Sequence, residues 1–386
     1  MRQCHIILVG AGIGGLTAAL SLQRHGFKVS VYEQASALQE VGAGLVLTPN
    51  AMHALNFLGV GRAITATSNL TSELEVRHYR TGQVLQRRPS GDFYQAKYGA
   101  GYFQVHRADL HAALRDAVLA NDGHSIHLDR AFTSLVQDGS GVVARFANGA
   151  AAEGDALIGC DGGRSTVRDQ VHGSAPAAYT GQVSFRALVP AANLPDEFRT
   201  QPRCMHIGAG RVFVHYPLRK NSIMNMVGNA RQPRWEDEGW AIPATVSEFL
   251  ELYSDFHPQV LLMIKSIKPK ALFKWGLRDR EPLQQWTVGR VSMLGDAAHP
   301  MLPFLGQGAV MAIEDGMVLG RCFAMAAAPE ALRLYETARK QRANAAQIRT
   351  RDRARALQGL DSDPNPGRDA EDLGMFDYDP TTVPIC

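Results

Sequence analysis

Three kinds of patterning divide the chain. Short runs of consecutive apolar residues mark strands buried on both faces, apolar positions recurring every three or four residues mark helices, and strict alternation marks strands with one buried face. Cys4 to Val9 is a run of the first kind, Ile13 to Arg24 has helical spacing ended by Gly26, and Lys28 to Tyr32 is a second run closing on Glu33. Together they predict a parallel βαβ unit. Glu73 to Tyr79 and Gln83 to Arg88 alternate around Thr81-Gly82 and predict a hairpin. Tyr102 to His106 returns to strand character, with a helix from Arg107 to about Leu119. Ile126 to Asp129, Ser134 to Gln137 and Val142 to Phe146 read as short strands, and Ala156 to Cys160 is another buried run. Val183 to Val189, Arg211 to Leu218 and Met224 to Asn229 are strand-like, whereas Thr245 to Leu262 reads as one helix. A last apolar run, Val291 to Leu294, precedes helical segments from Gly306 to Phe323 and from Glu330 to Leu357.

The switch from parallel to antiparallel patterning and back implies an α/β fold with a second domain inserted into the first. The expected division is a Rossmann-like dinucleotide domain of 1–70, 101–176 and 277–329, with an antiparallel α+β domain of 71–100 and 177–276. A C-terminal basic helix over 330–358 and an extended, loosely ordered tail over 359–386 complete it. The basic helix carries Arg333, Arg339, Lys340, Arg342, Arg349, Arg351, Arg353 and Arg355 against Glu336 and Asp352, which predicts a solvated basic face.

Length and composition narrow the class. The 386 residues, 45% hydrophobic and 20% charged, are those of a globular protein with a large core, and a net charge of +3 gives no footprint for nucleic acid. Five scattered cysteines, without CxxC or similar spacing, predict reduced thiols and no metal site. No segment approaches the roughly 18 uninterrupted apolar residues of a membrane span, and the chain enters a strand almost at once, so a cytoplasmic protein is expected.

Three strands end in turns that carry chemistry. The first feeds Gly10-Ala11-Gly12-Ile13-Gly14-Gly15, a GxGxxG with a strand before it and a helix after it. Gly10 permits the tight turn, Gly12 lets a pyrophosphate approach the backbone, Gly15 lets helix pack on strand, and Glu33 is placed to accept hydrogen bonds from a ribose. The second turn is Asp161-Gly162-Gly163-Arg164-Ser165, followed by Arg168. The third is Gly295-Asp296, then a loop with Pro300 and Pro303, then Gly306 and Gly308 opening a helix whose first N–H groups are free for an anion. Val41-Gly42-Ala43-Gly44 precedes a strand and allows close backbone approach to a flat ligand. Arg107, at a strand-to-helix junction, reaches phosphate or ribose oxygens or else pairs with Asp109. In Arg211 to Pro217, alternation puts Val212, Val214 and Tyr216 on one face and Phe213 and His215 on the other.

In order and spacing these motifs resemble the single-component FAD-dependent aromatic hydroxylases, the 4-hydroxybenzoate hydroxylase type. The chain looks most similar to the branch of salicylate 1-hydroxylase, 3-hydroxybenzoate 6-hydroxylase and 6-hydroxynicotinate 3-monooxygenase. The resemblance runs through VGAG at 41–44, HRADLH at 106–111, YPLR at 216–219 and GDAAHPMLPFLGQGAVMAIED at 295–315. It implies a monooxygenase using FAD, O2 and NADH or NADPH to hydroxylate an aromatic, carboxylate-bearing small molecule, with an electrophilic hydroxyl delivered from C4a of the flavin. It further implies that Gly10, Gly12, Gly15, Glu33, Gly44, Arg107 and Asp296 hold FAD, that Asp161, Gly162 and Arg168 serve FAD and NAD(P)H, and that Pro303, Gly306 and Gly308 line the flavin ring. With one dinucleotide fold, the nicotinamide nucleotide binds only transiently. The implied pocket is Val46, Val212, Val214, Tyr216 and Pro303, with Tyr216 orienting the substrate and Pro303 in the loop over the flavin. Val46, Val212 and Pro303 stand where related enzymes carry histidine, histidine and glutamine, so the pocket is expected to be more apolar and no general base is assigned. A monomer or homodimer is expected. The alternative reading is a flavin-dependent epoxidase or reductase acting on a non-aromatic substrate.

Overall fold

A computed structural model describes residues 3–38, 43–70, 73–89, 91–199, 202–235, 239, 241–359 and 369–385. Val41 and Gly42 of the VGAG segment, residues 360–368 of the tail, and Cys386 lie outside the described residues.

The apolar runs build a six-stranded sheet in the order Thr287–Val288, Val291–Met293, Ala156–Gly159, His5–Val9, Lys28–Tyr32, Ile126–His127. All neighbours are parallel except the hairpin of the first two strands. Three of these strands, ending at Val9, Gly159 and Met293, lie side by side and point the same way. Their C-terminal turns, distant in sequence, therefore open on one edge of the sheet, where α/β folds bind ligands. The helices Ile13–Arg24 and Gly308–Met325 pack together over this sheet, and their buried faces form one core with Ile6, Leu8, Leu16, Ile158, Ile313 and Met317.

The alternating segments form a second, eight-stranded sheet. It runs from Ile242–Pro243 through Leu272–Asp279, Ala178–Pro190, Ile223–Arg231, Arg211–Leu218 and Arg203–Gly208 to the hairpin Glu73–His78 and Val84–Pro89. One face covers helices with Phe185, Phe213, Phe249 and Tyr253 at the centre of its own core. Those helices are two, Val246–Leu252 and Pro258–Lys265, where one was expected; Pro258 starts the second by losing an N–H that a first helical turn leaves unpaired, and His257 caps it.

Two further expectations are corrected at the C-terminus. The helix Ala328–Gln358 presents only part of its basic residues to solvent, with Arg333, Arg349 and Arg355 exposed. Arg339 is fully buried and bound to Glu314 and Asp315 at 2.7 and 2.8 Å, Arg342 is bound to Glu314, and Arg351 to Asp279 and Glu281. Nor is the described part of the tail loose. Met375 and Phe376 are buried, Phe376 packs edge-on against Tyr94 and Tyr98, and Glu371 accepts hydrogen bonds from Tyr94, Tyr98 and Lys97.

Candidate active site

Between the ligand edge of the parallel sheet and the free face of the eight-stranded sheet lies a cavity of about 340 Å³. The three turns supply one wall, with Gly12, Gly162 and Asp296, and Ala43, Gly44, Val46 and Arg107 supply another. The loop and helix start at Pro303, Gly306 and Gly308 close a third side. Val212, Val214 and Tyr216 face the cavity from the strand Arg211–Leu218, whereas Phe213 turns into the other core.

The glycine-rich turn is shaped for a dinucleotide. Gly10 has φ +106°, and a Cβ there would overlap the carbonyl oxygen of Cys160. A Cβ on Gly12 would meet nothing within 4 Å, so open space adjoins the N-terminus of Ile13–Arg24, whose first N–H groups await an acceptor. Gly10 and Gly15 do not line the cavity; they let strand, helix and Cys160 approach one another. Glu33 lies at the end of its strand, its carboxylate receiving hydrogen bonds from the N–H of Ala11 at 2.9 Å and of Ala35 at 3.0 Å. Asp296 is exposed to the cavity that it lines, and desolvation by the surrounding protein pushes its pKa above the usual range. A flavin's hydroxyl-bearing side chain suits such a group, since hydroxyls donate to it without adding charge. These features fit FAD.

Asp161 and Arg168 stand back from the cavity. Asp161 accepts from Ser165 Oγ at 2.5 Å and from the Val167 N–H at 3.0 Å, fixing the turn that carries Gly162. Arg168 does not line the cavity: it is 2% exposed, and its guanidinium donates to the carbonyls of Ala297 and Gly163, both at 3.1 Å. It ties the second turn to the third. Arg107 does line the cavity, while Asp109 is bound by Arg219 at 2.5 Å.

A buried network backs the third turn. Asp315 accepts from the Gly295 N–H at 3.1 Å, from His299 Nε2 at 2.6 Å and from Arg339 Nε at 2.8 Å. Asn50 bridges Glu314 and Gln307 at the start of the same helix. The loop bearing Asp296 is thereby held to Gly308–Met325 and, through Arg339, to the C-terminal helix.

Sequence reasoning missed two cavity residues, Arg186 and Arg203. Both stand on strands of the eight-stranded sheet, on the face shared with Tyr216, and Nε of each is buried without a hydrogen-bond partner. Arg186 also lies 5.0 Å from the centre of the Trp275 ring. Tyr216 is buried against Gly44: a Cβ on Gly44 would come within 2.7 Å of the Tyr216 ring and 2.8 Å of its hydroxyl. Asn225, which accepts from the Gly44 N–H at 2.9 Å, holds this contact. Burial pushes the Tyr216 pKa up to about 12 even though Arg186 and Arg203 pull it down, so the phenol stays protonated.

A two-domain α/β fold with three glycine-bearing turns around a cavity of this kind is that of a flavoprotein. The chain belongs to the FAD binding domain family, whose model matches residues 3–350. It is 36% identical over 342 residues to a 3-hydroxybenzoate 6-hydroxylase of Polaromonas naphthalenivorans, covering 87% of this chain and 84% of that one. To a 6-hydroxynicotinate 3-monooxygenase of Pseudomonas fluorescens it is 35% identical over 348 residues, 89% of each chain. Among solved structures, Klebsiella pneumoniae HpxO complexed with FAD and uric acid superposes with a TM-score of 0.85 at 26% identity, over 97% of this chain and 96% of that one. The chain is an FAD-dependent monooxygenase. No helix among the described residues is long and apolar enough to cross a membrane.

Proposed function

We propose that this enzyme hydroxylates an anionic aromatic molecule, a carboxylate-bearing phenol or an acidic heteroaromatic ring, held between Arg186, Arg203 and Tyr216. The observation that carries the reading is the pair of half-buried arginines on one wall of the cavity, each with its Nε buried and unpartnered. Burying a charged N–H without a hydrogen-bond partner is costly, and an incoming carboxylate or phenolate supplies the partner.

Gly12, Gly44, Arg107, Gly162, Asp296, Gly306 and Gly308 would hold the cofactor, with Glu33 set for the ribose. FAD, reduced by NADH or NADPH, supplies the oxygen activation. The protein's own groups do the rest. Arg186 and Arg203 fix the anion and hence the ring's orientation, and Tyr216 donates a hydrogen bond to the ring's oxygen rather than taking its proton. Val46, Val212, Val214, Val227, Met205 and Phe304 keep the reacting edge dry. The unpaired N–H groups at the start of Gly308–Met325 present a positive end where negative charge collects on a reduced flavin.

The reading is tested by screening aromatic carboxylates, phenols and their neutral amides or ethers for stimulation of NAD(P)H oxidation, with products identified by mass. An acidic aromatic should be consumed with gain of one oxygen. Turnover confined to neutral or non-aromatic compounds would refute it.

A further inference from the structure

On the face of the eight-stranded sheet that turns away from the cavity, three buried side chains with metal-ligating atoms meet. Cys204 and His215 are paired directly across the strands Arg203–Gly208 and Arg211–Leu218, and His206 lies two residues along on the same face as Cys204. The sulfur and one nitrogen of each ring all lie within 4.8 Å of one another, and none of the three residues is more than 2% exposed. Linear spacing hides this grouping, because the strand pairing creates it.

The two imidazoles are left unsatisfied. Nδ1 of His206 and Nδ1 of His215 are buried with no hydrogen-bond partner, and the rings stack with centroids 5.8 Å apart. A neutral imidazole offers a metal the lone pair of one ring nitrogen. The charged groups nearest the cluster are already paired: Arg77, which faces it from the neighbouring strand, at 2.6 and 2.8 Å, and Arg87, at 2.9 Å, both bind Glu75, which sits directly across from Cys204. The ring of His257 stacks on His206 at 6.5 Å.

We propose that Cys204, His206 and His215 bind one zinc ion, which clamps together the strands that carry Arg203 and Tyr216 on the opposite face. One sulfur and two imidazole nitrogens are ligands that zinc takes, leaving its fourth tetrahedral position to a water. Binding replaces the thiol proton with metal, releasing that proton to solvent; no electron is transferred. Tetrahedral zinc brings its ligand atoms to roughly 3.3–3.6 Å from one another, so the donors need close by only about 1 Å. The clamp is structural, holding the register of Cys204 opposite His215 and with it the spacing of the residues proposed to orient the substrate.

The test uses the full chain loaded with FAD, produced in zinc-supplemented medium and passed over a weak chelating resin. Elemental analysis should find one zinc per chain, and after removal with a strong chelator, cobalt(II) should give the absorption of a tetrahedral thiolate site in the red, beyond the flavin's bands. Cys204→Ser should lose both signals while retaining its FAD. Wild-type protein with no stoichiometric zinc and no red cobalt band overturns the proposal, as does a Cys204→Ser variant that keeps its metal. Should the variant fail to fold, the wild-type cobalt spectrum alone decides.

Discussion

Replacing Asp315 with asparagine tests the claim that the C-terminal helix holds the cofactor loop in place. The carboxylate is fully buried and accepts three hydrogen bonds, from Gly295 N–H, His299 and Arg339. Asparagine keeps the shape but removes the charge and turns one acceptor into a donor facing a donor. Breaking a buried ion pair from one side costs about 3–5 kcal/mol. Arg339 retains Glu314 at 2.7 Å, which places the expected loss near the lower end, about 3 kcal/mol. Urea unfolding of the FAD-loaded protein should show the midpoint falling at unchanged slope, and FAD should be lost more readily because the Gly295 N–H no longer has its anchor. The double variant with Arg339→Met should be less destabilised than the sum of the two singles. A loss below about 1 kcal/mol, or strict additivity, would refute the reasoning. The pH dependence has a definite sign. Burial raises the Asp315 pKa, but His299 and Arg339 outweigh it and hold the carboxyl below its usual value. This stabilisation is therefore complete above the unfolded pKa of about 3.9 and disappears as pH falls through the lower folded value. Asp315→Asn should lack that acid limb.

Three further outcomes follow from single contacts. Gly44→Ala sets a methyl against the Tyr216 ring and Asn225, each 2.7 Å away, and should cut turnover at least about tenfold, while unchanged kcat would remove Gly44 from the account. Tyr216→Phe should leave FAD bound and lower the fraction of NAD(P)H oxidation that ends in product; unaltered coupling, measured as product formed per NAD(P)H consumed, would mean that the hydroxyl does not orient the substrate. Phe376→Ala removes a buried ring packed among Tyr94, Tyr98 and Tyr102 and should cost about 3–5 kcal/mol by chemical denaturation, whereas a loss typical of an exposed site would mean the tail is not docked.

Much of this architecture is written locally. The GxGxxG turn, the Asp161-Gly162 and Gly295-Asp296 turns and the alternation across Arg211 to Pro217 are short-range patterns, and each lies in the structure in the element it specified. What the sequence left hidden depends on long-range pairing. Arg186 interrupts a strand otherwise made of Val183, Phe185, Ala187 and Val189, and its phase with Leu188 sets it on the opposite face from those four; only the register with Ile223–Arg231 and Arg211–Leu218 shows that this face meets the cavity. Arg339 had a local signal that net charge obscured. It lies in the stripe Leu332, Tyr335, Ala343, Ala346, three or four residues from its neighbours, which is the buried face of the helix. The tail offered no periodicity at all, and Phe376 is buried by tyrosines 278 and 282 residues earlier in the chain.

The central claim is that two half-buried arginines on the cavity wall select an anionic ring, and equilibrium binding tests it most directly. Titrating the FAD-loaded protein with an aromatic carboxylate and with its neutral amide, and following the flavin absorption, gives two dissociation constants. A charge-assisted hydrogen bond contributes about 1.5–3 kcal/mol, so the carboxylate should bind roughly 10- to 150-fold more tightly, and Arg186→Met and Arg203→Met should each erode that preference. Equal affinity for the two compounds in the wild type, or a preference that survives in both variants, would contradict the account.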